Sequence, residues 1–283
     1  MGKTYLNGAI VINKDANMTS RDVVNILCKK LNTKSIGHIG TLDPIATGVL
    51  VCLIGKYTKL TNILINHDKE YIASFKLGLL TDTLDITGNI LKEEKVIISK
   101  EDIIKALNTF IGTYNQEVPI YSAVKINGKK LYEYARSNKE IQLPKREVTI
   151  YNLELLNIDK DIITIKTKVS KGTYIRSLIR DIGLKLNTNA TMTSLQRTKL
   201  GKFTIDNSYT LEDIENNNYK LLDIQDLLDI EEININEEDL FKIKNGQILN
   251  KRTDKYILFK YNNKNIALYQ KYNENQIKPL IMF

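Results

Sequence analysis

The sequence predicts a mixed α/β (α+β) fold with a larger domain, residues 1–231, and a small β-rich domain, residues 232–283. In the larger part, segments with the two-residue period of strands alternate with amphipathic helical segments. After about residue 232, short strand-like segments are separated by Asn- and Gly-containing turns. Because about 50 residues are few for an independent core, we expect the small domain to pack against the larger one.

The individual elements follow from local patterns. Apolar residues at helical spacing after residue 20 predict a first helix, for which Ser20 could be the cap. The apolar run 49–54 is too short for periodicity to distinguish a buried strand from a helix. The remaining patterns predict strands at 8–13, 70–79, 148–157, 162–169, 239–250, 255–261 and 264–270, and helices at 100–110, 175–186 and near 219–229, with a short helix within 128–148.

Composition excludes several classes of protein. Hydrophobic residues make up 42% and charged residues 26%, which is typical of a globular domain. The longest apolar run, 49–54, cannot span a bilayer, so we expect no membrane segment. Two cysteines and two histidines argue against a disulfide framework and against a metal site. No signal-like stretch opens the chain, and we expect a cytoplasmic protein.

The distribution of charge is informative. The net charge is +8, and an acid-rich stretch, 201–250, lies between basic segments on either side. A basic body attracts polyanions, since lysines and arginines that reach phosphates release counterions. The alternative is solvated lysine in a Lys-, Ile- and Asn-rich chain, and charge alone leaves both interpretations open.

No nucleotide-cofactor motif is present. Residues 48–57 (GVLVCLIGKY) superficially resemble a phosphate-binding loop, but the spacing is too long and Tyr57 stands where a Ser or Thr should follow the lysine. Residues 37–40 do not form a dinucleotide fingerprint. These motifs therefore predict no nucleotide cofactor.

Two segments supply complementary charges. In 37–48 (GHIGTLDPIATG), Asp43 lies between Gly40 and Pro44, a turn that can hold a carboxylate at a fixed angle or merely close a loop. In 170–181 (SKGTYIRSLIRD), a partly buried Arg176 could keep a facing aspartate ionised and oriented. The alternative for this segment is a basic helix that faces phosphate or solvent.

Two further segments carry aromatic residues. Tyr71 lies in a predicted strand followed by Asp82 and Asp85, and it could stack on a base removed from its helix or simply pack in the core. Residues 119–136 interleave tyrosines with lysines, a pattern that suits stacking and phosphate contact but also fits an ordinary surface hairpin.

Taken together, these segments closely resemble the bacterial tRNA pseudouridine(55) synthase family. The resemblance covers roughly residues 8–230, and 232–283 are more weakly similar to the small RNA-binding domain of the PUA type. Its motifs occur in the family's order: GHIGTLDPIATGVL (37–50), KEYIASFKLGLLTDTLDITG (69–88), VPIYSAVKINGKKLYEYAR (118–136) and SKGTYIRSLIRDIG (170–183).

The resemblance implies roles for particular residues. Asp43 would be the catalytic aspartate, Arg176 would pair with it, and Tyr71 and Tyr174 would contact the flipped uracil. Residues 119–148 would be an insertion that closes on the RNA. Four further positions would serve substrate binding: His38 by arranging the displaced RNA backbone, Asp85 through the Arg/Tyr network, Leu195 by closing the pocket, and Lys14.

This chain departs from the family pattern near Lys14. Residues 12–15 are Ile-Asn-Lys-Asp where the family usually has Asp-Lys-Pro, so the lysine is kept and its proline is not. Val118-Pro119 replaces a Pro-Pro pair, and 196–198 follow the family's pattern only in part. None of these differences falls on Asp43, Tyr71, Tyr174 or Arg176.

The function implied is isomerisation of uridine 55 in the T-loop of tRNA, by an aspartate nucleophile that attacks C1′ or C6, without cofactor or metal. We expect a monomer that binds the T-stem-loop and needs no protein partner.

The first alternative is a non-catalytic RNA-binding or RNA-folding protein. A glycoside hydrolase using Asp43 with Asp82 or Asp85 is a poorer fit, because a chain without tryptophan offers little sugar-stacking surface. A guide-RNA-dependent enzyme is disfavoured by the compact chain.

Overall fold

The computed structural model describes residues 6–137 and 141–283. Its helices are α1 (Ser20–Lys30), α2 (Thr61–Leu64), α3 (Lys100–Asn108), α4 (Leu131–Arg136), α5 (Ile175–Lys185), α6 (Leu211–Glu215), α7 (Ile224–Leu227) and α8 (Glu237–Lys244), with 3-10 turns at Gly55–Leu60 and Ile205–Asn207. Every helix in this part of the chain is too short or too polar to cross a lipid bilayer.

The strands are β1 (Gly8–Lys14), β2 (Ile36–Ile39), β3 (Thr47–Ile54), β4 (Lys69–Leu77), β5 (Leu79–Thr81), β6 (Ile90–Glu93), β7 (Gly112–Glu117), β8 (Lys125–Ile126), β9 (Lys129–Lys130), β10 (Lys145–Asp159), β11 (Ile162–Val169), β12 (Ala190–Leu200), β13 (Phe203–Thr204), β14 (Ile230–Asn234), β15 (Leu249–Asn250), β16 (Tyr256–Tyr261), β17 (Lys264–Lys271) and β18 (Gln276–Met282).

A mixed sheet forms the centre of the fold. Within the described residues it has nine strands, in the order β1-β3-β12-β4-β11-β10-β7, with β2 paired to β3 and β13 paired to β12. The β3–β12 pair is parallel and its neighbours are antiparallel. This one parallel pairing brings the loop before β3 beside the middle of β12, which places residues distant in sequence next to each other.

Helices α1, α3 and α5 cover one face of this sheet. Val23 and Leu27 of α1 and Ile179 of α5 share a buried cluster with Leu50 and Cys52 of β3. The alternate residues of β3 point into a second cluster on the other face. Since β3 is covered on both sides, it is apolar throughout, and this explains why no period-two alternation marks it as a strand.

A second sheet covers that other face. Among the described residues it has five strands in the order β14-β16-β17-β18-β15, with β14 and β16 parallel. Leu258, Leu268 and Ile281 of this sheet belong to the same buried cluster as Val11 and Val51 of the central sheet. The second sheet therefore buries apolar area against the first rather than standing apart from it.

Some predicted elements were wrong in type or extent. The segment 239–250 was expected to be a strand, but its first half belongs to α8, which begins after Asn236, and only its last two residues form a strand, β15. The side chain of Asn236 accepts a hydrogen bond from the amide of Asp239, 2.9 Å away, and acidic residues occupy the first helical turn. These capping and charge signals favour a helix more strongly than the short apolar alternation favours a strand.

Two smaller differences concern helix boundaries. The cap of α1 is Thr19 rather than Ser20: Thr19 and Asp22 form a reciprocal capping box, whereas the hydroxyl of Ser20 points into the protein. The helix expected near 219–229 is confined to α7, which begins after its own capping residue, Asp223. A capping side chain thus sets each of these two helix starts.

Candidate active site

A cleft of about 800 Å³ opens between the loop that joins β2 to β3 and the start of α5. Side chains from β4, β12 and the segment 121–132 complete its walls. Five residues expected to act on substrate line this one space: Asp43, Tyr71, Tyr174, Arg176 and Leu195. They span more than half the chain in sequence, so their convergence is a property of the sheet topology.

Side chains from α1 and β1 hold the loop that carries Asp43. The amide of Leu42 donates to the hydroxyl oxygen of Ser20 over 2.9 Å, and both residues are buried. The Nζ of Lys14 donates to the carbonyl oxygen of Pro44 over 3.3 Å. These bonds fix the backbone on both sides of Asp43, and its carboxylate is thereby aimed from a rigid support.

Arg197 on β12 ties together the two ends of the same loop. Its Nε donates to the carbonyl oxygen of Val49 over 2.7 Å, and its Nη2 donates to that of Gly40 over 2.8 Å. The parallel pairing also requires a glycine at position 48: its φ is +96°, and a Cβ there would lie 2.2 Å from the carbonyl oxygen of Arg197. The loop therefore depends on contacts that only the folded sheet provides.

Arg176 grips the carboxylate of Asp43 with two donors. Its Nε lies 2.9 Å from Oδ2 and its Nη2 lies 3.2 Å from Oδ1. The remaining donors reach the carbonyl oxygens of Thr83, at 3.0 Å, and Tyr121, at 3.1 Å. Arg176 is only 5% exposed, whereas the side chain of Asp43 is 35% exposed. The pair thus presents to the cleft a carboxylate that a buried cation holds in a fixed position.

Two tyrosines and a leucine supply the apolar walls around this carboxylate. Tyr71 lies on β4 and is 7% exposed, and Leu195 lies on β12. The amide of Tyr174 donates to Oε1 of the buried Gln116 over 2.8 Å, which fixes the start of α5. Within the described residues, neither tyrosine hydroxyl forms a hydrogen bond, so both rings and their hydroxyls are available to a ligand.

Comparison with known proteins accounts for this combination of cleft and motifs. Residues 28–175 match the family described as TruB family pseudouridylate synthase, N-terminal domain. Residues 176–233 match the tRNA pseudouridylate synthase B C-terminal domain. The chain belongs to the TruB family of pseudouridylate synthases.

Individual relatives of this TruB family member agree with that assignment. A tRNA pseudouridine synthase B of Clostridium tetani is 45% identical over 245 residues, covering 85% of each chain. One from Mesoplasma florum is 41% identical over 277 residues, covering 96% of each. A solved H/ACA RNP structure bound to a substrate RNA containing 2′-deoxyuridine has a TM-score of 0.68 at 22% identity, covering 97% of this chain and 83% of the other, and it shows the shared fold.

Asp85, the acidic position expected in the TruB network, lies behind Arg176. Its Oδ2 is 3.8 Å from Nη1 of Arg176, and its Oδ1 accepts from the hydroxyl of Thr83 and from the amide of Thr87. It is 5% exposed and does not line the cleft. It therefore lies as a counter-charge behind the guanidinium of Arg176.

Lys14 and His38 also lie outside the cleft lining. Lys14 is fully buried beneath the loop, with Nζ donating to the carbonyl oxygens of Asp15 and Met18, each at 2.7 Å, as well as to that of Pro44. Burial lowers its pKa to about 8. His38 is half-buried on β2, and burial together with nearby arginines lowers its pKa. The structure therefore places Lys14 as a support of the Asp43 loop.

The sequence analysis missed three buried polar residues of the site. Gln116 fixes Tyr174, Arg197 closes the Asp43 loop, and Lys69 lines the cleft. Lys69 and Arg197 are charged residues in strands, a pattern that normally indicates a solvent-facing side chain. Only the position of each residue within or next to a family motif could have indicated that it belongs to the site.

The charges around the cleft are mainly positive. Lys69, Lys171, Arg146 and Arg197 line it together with the Asp43–Arg176 pair and Glu147. No group of three or more His, Cys, Asp and Glu side chains suited to a metal ion occurs in residues 6–137 and 141–283. The arrangement suits a polyanion that brings one neutral, planar group against an ionised carboxylate.

Proposed function

We propose that this chain isomerises uridine 55 in the T-loop of tRNA to pseudouridine, with Asp43 as nucleophile. The observation that carries the proposal is the two-donor contact of Arg176 with Asp43 at the wall of an aromatic-lined cleft. Membership of the TruB family, and relatives named tRNA pseudouridine synthase B, support the tRNA substrate. None of these observations favours the non-catalytic alternative.

The reaction is balanced within one nucleotide. The N1–C1′ bond breaks, the uracil turns, a C5–C1′ bond forms, and the proton on C5 is lost while N1 gains one. The carboxylate of Asp43 attacks C1′ or C6 and departs again, so no external group is consumed. Arg176 holds the carboxylate in position before attack and after its release.

The walls of the cleft fit the remaining requirements. We assign Tyr71 to stack on the flipped uracil, which offsets part of the unstacking cost of a few kcal/mol. We assign Tyr174 to receive the C5 proton and Leu195 to exclude water from the other side of the base. We assign Lys14 to supporting the Asp43 loop from outside the cleft, His38 to arranging the displaced RNA backbone, and Asp85 to acting through Arg176.

Two surfaces are proposed to hold the RNA. Residues 119–148 would close on the stem-loop: Tyr132 lines the cleft, and cations of Lys130 and Arg136 lie 5.3 and 5.5 Å from its ring centre. Positions 138–140 of this insertion lie outside the described residues. We further propose that residues 1–231 form the catalytic domain and 232–283 a PUA-like RNA-binding domain.

We also propose that the protein acts in the cytoplasm as a monomer and needs no protein partner. The support is the site itself, since every residue assigned to the reaction comes from one chain. Light scattering of the free protein and of its complex with a T-stem-loop RNA tests this proposal. A mass twice that of one chain in the active fraction would contradict it.

The central test uses a T-stem-loop RNA that carries tritium at C5 of its uracils. Release of tritium reports loss of the C5 proton, and mapping of the product identifies the modified position. Asp43→Asn should abolish release while RNA affinity changes by less than about three-fold, because a neutral isostere keeps the shape but lacks the nucleophilic charge. The matched control is Asp82→Asn, because the carboxylate of Asp82 accepts hydrogen bonds from Asn89 and does not line the cleft. This variant should retain activity. Persistent release by purified Asp43→Asn would refute the proposal.

A further inference from the structure

Two buried cations at one edge of the cleft have no carboxylate partner. Arg197 is 1% exposed and Lys69 is 7% exposed, and both line the cleft. Among the described residues, no Asp or Glu forms an ion pair with either of them. A buried charge without a counter-charge is costly unless a ligand supplies one.

Backbone carbonyl oxygens satisfy only part of the hydrogen-bonding capacity of Lys69 and Arg197. The Nζ of Lys69 donates to the carbonyl oxygens of Ile65, at 2.9 Å, and His67, at 2.6 Å, which leaves one of its three protons unused. Arg197 uses Nε and Nη2 to hold the Asp43 loop. Its Nη1 has no acceptor within the described residues. Each cation thus keeps free donor capacity.

The two side chains converge on Gly40, which also lines the cleft. A Cβ on Gly40 would lie 3.3 Å from Nη1 of Arg197 and 3.7 Å from Cε of Lys69, and the φ of this residue is +66°. Any larger residue would fill the space between the two cations and would strain the backbone. Gly40 and Asp43 belong to the same loop and line the same cleft, so these two cations face the space that the carboxylate of Asp43 also faces.

The electrostatics of the free protein point the same way. Burial, and then the charge of Arg197, lower the pKa of Lys69 to about 8; the charge of Asp68 opposes this lowering, and that of Lys171 adds to it. The like charges repel one another in the free protein, and an anion between them would remove that cost. Of the ligands that reach Asp43, a flipped nucleotide necessarily carries an anion on each side of its ribose.

We propose that Lys69, Nη1 of Arg197 and the open space at Gly40 form a binding site for one backbone phosphodiester of the RNA, next to the flipped uridine. This inference rests on the proposed function, since the phosphodiester arrives with the target nucleotide. The site would set where the ribose stops relative to Asp43. Binding of the phosphodiester therefore helps to position the glycosidic bond of the target nucleotide relative to Asp43.

The test combines a neutral backbone with a neutral side chain. A series of T-stem-loop RNAs carries one methylphosphonate at each linkage around the target uridine. With the unsubstituted protein, one adjacent linkage should raise the dissociation constant by about ten-fold or more, as expected for loss of a charge-assisted contact. With Lys69→Gln, the same replacement should have less than about a two-fold further effect, and the dependence of affinity on salt should weaken by about one phosphate contact.

Two further variants separate charge from packing. Lys69→Arg keeps the charge and should keep the sensitivity to that methylphosphonate. Lys76 lies on the same strand and pairs with Glu93 outside the cleft. Its substitution Lys76→Gln should therefore leave the methylphosphonate profile unchanged. A purely structural role for Lys69 would lower the stability of the Gln variant but would leave its sensitivity to the modified linkage intact.

The possible results are distinguishable. If no linkage next to the target is sensitive in the unsubstituted protein, the inference is wrong whether or not the Lys69 variants fold. Independent effects of Lys69→Gln and the methylphosphonate, which multiply rather than overlap, would also overturn it. Product mapping with unmodified RNA is run in parallel: absence of pseudouridine refutes the proposed function, whereas pseudouridine formation without coupling refutes only the phosphate site.

Discussion

Replacing Arg176 by lysine measures how much of the activity depends on the two-donor contact with Asp43. A lysine keeps the positive charge, but its single nitrogen cannot reach both carboxylate oxygens and the carbonyls of Thr83 and Tyr121 at once. At least one charge-assisted bond to Asp43 is lost, worth about 1.5–3 kcal/mol. The value of kcat/KM should therefore fall by about 10- to 150-fold.

The effect should be larger and of a different kind for Arg176→Met. Removing the cation leaves Asp85, which is buried, facing no positive charge, and breaking such a buried pair costs about 3–5 kcal/mol of folding stability. Urea unfolding should show this loss for Arg176→Met, and a smaller one for Arg176→Lys.

Tritium release from the T-stem-loop RNA gives kcat and KM separately for each variant. Arg180→Lys is the control, because Arg180 lies on the same helix but pairs with Glu117 and Asp181 outside the cleft. Its kcat/KM should stay within about two-fold of the unsubstituted enzyme. A folded Arg176→Lys protein with unchanged kcat/KM would refute the reasoning that the geometry of the contact, rather than charge alone, positions Asp43.

Three further predictions follow from other contacts of the site. Tyr71→Phe should keep the stacking face and most of kcat/KM, whereas Tyr71→Leu should lose most of it, and equal rates for the two would contradict the stacking role. Gly48→Ala should cost roughly 2 kcal/mol or more in urea unfolding, because its Cβ would overlap the Arg197 carbonyl; unchanged stability would show that the parallel pairing adjusts. The pKa of Lys14 is lowered to about 8 from 10.5, so above pH 8 the folded protein has released a proton that the unfolded chain still holds, and stability should rise from pH 8 towards 10.5. In Lys14→Met, the free energy of unfolding measured with urea should rise by roughly 1–3 kcal/mol less between pH 8 and 10.5. The same dependence of this free energy on pH in the variant would contradict this account.

The candidate site was predictable from the sequence because its motifs resemble those of a known family. The sequence shows Asp43 in a segment rich in glycine and followed by a proline, and it shows Arg176 at the start of an amphipathic helix. The structure brings Asp43 and Arg176 into contact as the paired motifs suggested. Lys14 and His38 could not be placed in the same way, because a position near a motif does not say on which side of a strand the side chain lies.

Helix α8 shows the limit for secondary structure. Its apolar residues are few, and the short segment fits either period when only hydrophobicity is read. The cap at Asn236 and the acidic first turn carried the deciding signal. The strand β3 shows the opposite case, since its unbroken apolar sequence has a simple meaning only once both faces are known to be covered.

Local residue patterns in the sequence determined the mixed α/β fold with a β-rich C-terminal part, and the resemblance of its motifs to a known family indicated the reaction class and the roles of Asp43 and Arg176. Tertiary structure decided which buried groups support them. Arg197 gained its position from the pairing of β12 with β3, Lys69 from the pairing of β4 with β12, and Gln116 from the meeting of β7 with α5. Such roles depend on distances between strands and helices far apart in the chain, and the desolvation that makes a lysine or arginine seek an anion exists only after the core has closed around it.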